Sequence, residues 1–125
     1  VKVLYIAGPY RGRDAWVREG NVRRAEAVAL EVWAMGIVAL CPHTMTRFYG
    51  DDVLPEATWL AGDLELLKRC DGVLAIARWQ ESTGASIEVR YALERGLPVF
   101  YALSEIEEAW GEEAGPVQLS LPFVN

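Results

Sequence analysis

A chain of 125 residues and 13.9 kDa is the size of one domain, long enough to bury a core without disulfides or metal. Apolar residues at 52% and charged residues at 24% exclude a disordered chain. With 12 basic against 18 acidic side chains the net charge is −6, which excludes a basic footprint for a nucleic-acid polymer. A small anionic ligand stays open, because a few local groups decide that. Residues 1–60 are neutral, with 7 basic and 7 acidic side chains, and the excess falls in residues 61–125. Part of it is Glu105, Glu107, Glu108, Glu112 and Glu113, read as a solvated acidic face.

In chain order, residues 1–7 (VKVLYIA) form an apolar run that ends at Gly8-Pro9 and reads as a buried strand. The turn GPYRGRD follows. Apolar residues at helical spacing (Val22, Ala25, Val28 or Ala29, Val32, Trp33) predict a helix from about Asp14 or Asn21 to Met35, stopped by Gly36. Residues 37–41 predict a second strand closed by Pro42, and residues 43–54 show no period and read as a loop. Pro55 suits the first turn of a helix to about Arg69. Residues 72–77 predict a third strand, 78–84 a loop, 84–95 a helix ended by Gly96, and 97–102 a fourth strand. A further helix over 103–110 and an extended segment over 116–123 complete the pattern.

Strands that are continuous apolar runs, alternating with helices, predict one α/β domain over residues 1–125. The expected architecture is three-layered and Rossmann-like or flavodoxin-like, with a parallel sheet of four or five strands in the order 2-1-3-4(-5). Ligands in such sheets bind beyond the strands' carboxyl ends, where the strand order reverses. The loops there are residues 8–13 and 78–84.

In the first loop Gly8 and Gly12 allow close backbone approach, and Arg11 and Arg13 add positive charge; a tight turn with solvated arginines is the structural alternative. In the second, Ser82 or Thr83 can cap a helix whose free N–H groups favour an anion. Glu88 lies in that helix's second turn, with Gly84, Ala85, Tyr91, Ala92 and Arg95 as wheel neighbours. A carboxylate among small residues is a candidate nucleophile or base, and pairing with Arg95 is the plain alternative. Asp63 is a mid-helix aspartate, a poor helix former that some other constraint can hold, while Asp71 reads as a turn or capping residue. Trp79, Tyr10, Tyr5 and His43 fall near the same edge, where aromatics either stack on a base or sugar or simply pack. Cys41 and Cys70 read as buried free thiols, and one histidine with two cysteines offers no zinc set. No metal and no cofactor are expected. No apolar run reaches a membrane span, and no signal-peptide pattern is present, so a reducing cytoplasmic setting is expected.

The motifs YIAGPYRG, CDGVLAI and S-x-GA-x-x-E-x-x-x-A-x-x-x-G-x-P, with Asp63 eight residues before Asp71, resemble the nucleoside 2-deoxyribosyltransferase superfamily over about residues 3–100. The resemblance implies that Glu88 attacks the anomeric carbon and that Asp63 donates the proton or orients the reactants. It implies that Tyr5 and the loop carrying Gly8, Pro9, Tyr10, Arg11 and Gly12 line the nucleoside pocket. Transferases of free nucleosides carry an aspartate at the position of Ser82, whereas the related deoxynucleoside 5′-monophosphate N-glycosidases carry a serine that contacts phosphate. Ser82, Gly84 and Arg11 therefore point to a monophosphate. The resemblance also implies a homodimer or larger homo-oligomer, with a nucleotide or nucleoside as the small-molecule partner. The expected function is cleavage or transfer at an N-glycosidic bond through a glycosyl-Glu88 intermediate. A non-catalytic nucleotide-binding module, and a glycosidase acting on another nucleotide such as NAD, are the alternatives.

Overall fold

The computed structural model describes residues 1–49 and 53–112. Strands β1 (Val3–Ala7), β2 (Val38–Leu40), β3 (Gly72–Ala75) and β4 (Val99–Phe100) form one parallel sheet in the order β2-β1-β3-β4. The register places Tyr5 beside Leu40 on one side and Val73 on the other. The helices are α1 (Ala15–Ala34), α2 (Pro42–Met45), α3 (Glu56–Leu67), α4 (Thr83–Glu94) and α5 (Leu103–Trp110).

Side chains alternate across a strand, and here both faces are buried. Leu4, Ile6, Leu74 and Phe100 pack with Ala25, Ala29 and Val32 of α1 and with Ile106 and Trp110 of α5. Tyr5, Ala7, Val73 and Ala75 pack on the other face with Leu67 of α3 and with Val89 and Ala92 of α4. These are the three layers that the continuous apolar runs predict. Among the four strand residues just named on that second face, Tyr5 alone has a polar group, and it is fully buried.

Local signals set most boundaries. Asp14 caps α1 by accepting the Val17 N–H at 2.9 Å, so the helix starts ahead of Asn21, which is buried in its second turn. Gly36 (φ 81°) and Gly96 (φ 74°) take the left-handed conformation just past α1 and α4 and end them. Asp71 is structural, as its sequence position predicts: its Oδ2 accepts the Val3 N–H at 2.8 Å at the start of β1.

Three expectations need correction. The strands are shorter than their apolar runs, most of all β4, which keeps two of the six residues in 97–102. The segment expected as loop after β2 opens with the single turn α2, nucleated by Pro42 at its first position and by the Thr44 N–H bonding to the Cys41 oxygen at 3.2 Å. The loop after β3 contains a 3-10 turn (Trp79–Glu81), entered through Arg78 at φ 69°. The extended segment expected at 116–123 lies outside the described residues.

Candidate active site

A cleft of about 1110 Å³ opens at the carboxyl ends of the strands, between the loop after β1, the start of α3 and the start of α4. This is where the strand order reverses. Its floor is built by β1 and α4. β1 turns Tyr5 toward the α3/α4 layer, and α4 presents Glu88 between the small residues Ala85 and Ala92, all three buried. The Tyr5 hydroxyl donates a hydrogen bond to Glu88 Oε2 across 83 residues of sequence. The predicted alternative of a Glu88–Arg95 pair does not form; Arg95 lies over the Tyr91 ring, 5.3 Å from its centroid.

The electrostatics follow from burial. Burial pushes the Glu88 carboxyl up to about 8, the Tyr5 bond works against that shift, and Asp63 adds to it. Asp63, half-buried on α3 and also lining the cleft, is pushed by burial up to about 6. The tyrosine hydroxyl is raised by burial and by the two carboxyls, so it keeps its proton and remains a donor. Two carboxyls that titrate near neutrality therefore share one cleft, and each can hold or release a proton there. The constraint that keeps an aspartate mid-helix at position 63 is this cleft rather than helix propensity.

The loop after β1 is packed tightly at both glycines. A Cβ on Gly8 would lie 2.3 Å from Ile76 Cγ1, and one on Gly12 would lie 2.4 Å from Val17 Cγ1. His43 is buried and lines the cleft, but its Nε2 faces the carbonyl oxygens of Gly8 and Pro9 at 3.2 and 3.0 Å. Between two acceptors that nitrogen must carry the proton, so His43 holds the loop. Burial lowers its pKa and favours the neutral ring. Tyr10 packs edge-on against the same ring, with centroids 5.9 Å apart. Arg11 reaches across the mouth to Glu56 at 3.0 Å, and both side chains are exposed.

On the opposite wall Ser82 caps α4, its Oγ accepting the Ala85 N–H at 3.2 Å. At Gly84 an added Cβ would meet only that Oγ, at 4.0 Å, so the wall there is open. The structure thus brings Tyr5, Gly8, Pro9, Tyr10, Arg11, Gly12, His43, Asp63, Ser82, Gly84 and Glu88 to one cleft. It does not bring Trp79 there: that ring packs on Tyr101, with centroids 5.8 Å apart, and against the α3/α4 core. Sequence reasoning missed several lining residues, among them Asn21, Arg24 and Trp16. Asn21 carried a signal, since an asparagine on the buried face of an amphipathic helix demands polar partners. Trp16 is 85% exposed at the cleft rim and lies on no periodic face that would mark it. Among the described residues no group of three or more His, Cys, Asp or Glu can hold a metal ion. Cys41 and Cys70 are free and buried, and no helix among the described residues is long and apolar enough to cross a membrane.

Comparison with known proteins agrees with this architecture. A family model described as a domain of unknown function (DUF4406) matches residues 2–101. Among solved structures, the 2-deoxyribosyltransferase from Leishmania mexicana is similar at 19% sequence identity and a TM-score of 0.56. The match covers 79% of this chain and 62% of that one, so the chain spans less than two thirds of that protein's length. No curated protein sequence matches the chain. The likeness in structure carries the fold, a parallel α/β sheet flanked by helices. With residues 2–101 matched, the chain belongs to the DUF4406 family.

Proposed function

We propose that the protein cleaves or transfers at the N-glycosidic bond of a deoxynucleoside 5′-monophosphate or nucleoside. The observation that carries this reading is the buried Glu88, held by the Tyr5 hydroxyl in the same cleft as a second carboxyl, Asp63, with both pKa values raised. In the reaction a Glu88 carboxylate oxygen bonds to C1′ as the C1′–N bond breaks. The bonding pair leaves with the base, which takes a proton from Asp63. Water then adds to C1′, giving its proton to Asp63, and the bond to Glu88 breaks. A second base in place of water gives transfer. Tyr5 orients the carboxylate and favours its ionised form; with pKa values near 8 and 6 the pair carries one proton at neutral pH, and the reaction draws on the minor form that has it on Asp63.

Ser82, the open wall at Gly84 and the loop after β1 support a phosphate at the cleft's upper end. Arg11 contributes once it leaves Glu56, an exposed pair whose coupling is worth less than about 1 kcal/mol. The Leishmania mexicana protein, a 2-deoxyribosyltransferase, belongs to the same reaction class. A homodimer or larger assembly belongs to this reading, with a second subunit helping to close a cleft whose rim exposes Trp16. The free cysteines fit a reducing, cytoplasmic compartment.

The test is incubation with a panel of deoxynucleoside monophosphates and free nucleosides, following base release. Release by the parent protein and none by Glu88→Ala is expected. Full activity in Glu88→Ala, or no turnover of any member, overturns the reading. Adding a second free base separates transfer from hydrolysis. The cleft's volume, above the roughly 300–1,000 Å³ usual for one small ligand, also favours trying a dinucleotide such as NAD in the same panel.

A further inference from the structure

Four successive peptide carbonyls in the loop after β1 end on two buried side chains. His43 Nε2 takes those of Gly8 and Pro9, at 3.2 and 3.0 Å. Asn21 Nδ2 takes those of Tyr10 and Arg11, at 3.1 and 3.3 Å. The other end of the Asn21 amide is committed too, its Oδ1 accepting from Arg24 Nη2 at 2.5 Å. His43 comes from α2, behind the edge strand β2, and Asn21 from α1. The carbonyls are thus drawn toward the β2 side and the α1 layer.

The peptide bonds here are trans, and a trans peptide carries its N–H opposite its C=O. The N–H groups of Tyr10, Arg11 and Gly12 therefore point the other way, toward the β3 side and the α4 layer. Among the described residues none accepts a hydrogen bond from them. α4 begins on that side, with Ser82 and Gly84 on the cleft wall. Burying an imidazole and a carboxamide is costly unless each finds partners, and here the partners are the backbone of one loop.

We propose that His43 and Asn21 are positioning residues that fix these four carbonyls and so aim three loop N–H groups at an anionic group of the ligand. The inference rests on the monophosphate reading above and assigns what organises that end of the site. A glycine-bearing loop ordered before binding does not lose its freedom when the phosphate arrives, which strengthens binding without a new contact.

The test compares binding of each of the deoxynucleoside 5′-monophosphates with binding of its parent nucleoside, by calorimetry. His43→Phe keeps a ring and removes the donor, His43→Gln returns an N–H donor, and Asn21→Asp removes the donor at constant shape. Circular dichroism and melting temperature check that each variant is folded. His43→Phe and Asn21→Asp are expected to lose about tenfold or more in monophosphate affinity, with nucleoside affinity within about twofold and His43→Gln recovering most of the loss. Equal loss for both ligands, or unchanged monophosphate affinity in folded variants, overturns the proposal. If His43→Phe does not fold, His43→Gln and Asn21→Asp decide it on the same readout. Monophosphate binding without base release refutes the catalytic reading and leaves this one standing. A parent protein that releases base but binds the nucleoside as well as its monophosphate refutes this one alone.

Discussion

At the scale of single residues, Glu88 carries a cost in stability that follows from its burial. Folding raises its pKa from 4.5 to about 8, so the native state binds the proton more tightly than the unfolded chain. The corresponding stability is complete below about pH 4.5 and is lost as the pH rises through about 8. Glu88→Gln, neutral at every pH, is therefore expected to be more stable than the parent at pH 9 by on the order of a few kcal/mol. The gap should close toward pH 5, as denaturant titrations at the two pH values will read, and base release should vanish. The same two carboxyls predict a bell-shaped kcat/KM profile with limbs near 6 and 8. Tyr5→Phe removes the bond that favours the Glu88 carboxylate, so the limb near 8 moves to higher pH while the limb near 6 stays. The identity of Glu88 and Asp63 was legible in the motifs. Their partner was not, because helical periodicity names neighbours such as Arg95 within one helix and is blind to a hydroxyl from a strand 83 residues away.

At the scale of elements, the site depends on how the loop after β1 and the start of α4 meet the sheet. Gly8 sits against Ile76 at the end of β3, and the Ile76 N–H bonds to the Ala7 oxygen at 2.9 Å. Gly8→Ala drives a methyl group into that side chain and is expected to cost about 1–3 kcal/mol. Combining it with Ile76→Ala should cost less than the sum of the two changes, measured as a double-mutant cycle in chemical denaturation. At α4, Ser82→Ala removes the cap on the Ala85 N–H and is expected to cost about 1 kcal/mol. If Ser82 also meets phosphate, the same variant weakens monophosphate binding more than nucleoside binding. Element order and type were legible because strands buried on both faces read as apolar runs and Gly36 and Gly96 punctuate the helices. The ends were harder to read. Residues 97, 98, 101 and 102 extend the apolar run beyond β4 without joining the ladder, and α2 is one turn, too short to show a period.

At the scale of the whole molecule, part of the acidic excess lies away from the cleft and part of it, Asp63, Glu81 and Glu88, lines the cleft. Glu107 and Glu108 lie exposed and Glu105 half-buried on α5, across the sheet from α3 and α4, and the cleft wall carries Arg11, Arg13 and Arg24. Trp16 and Phe48 are 85% and 87% exposed, apolar surface that a second subunit would cover in the assembly proposed above. Light scattering after size exclusion is expected to give at least twice 13.9 kDa, and a monomeric mass would refute the assembly. The hydrogen bond between Tyr5 and Glu88 has a further consequence, for synthesis. Its two ends leave the ribosome roughly 4–17 s apart at 5–20 residues per second. Its strand β1 is central in the sheet and has no partner until β2 and β3 have been made. Every strand pairing is non-local, which slows folding. Bringing the first strand to the fourth helix forms this bond late, so a nascent chain that has not reached α4 does not yet hold the Glu88 carboxyl in place.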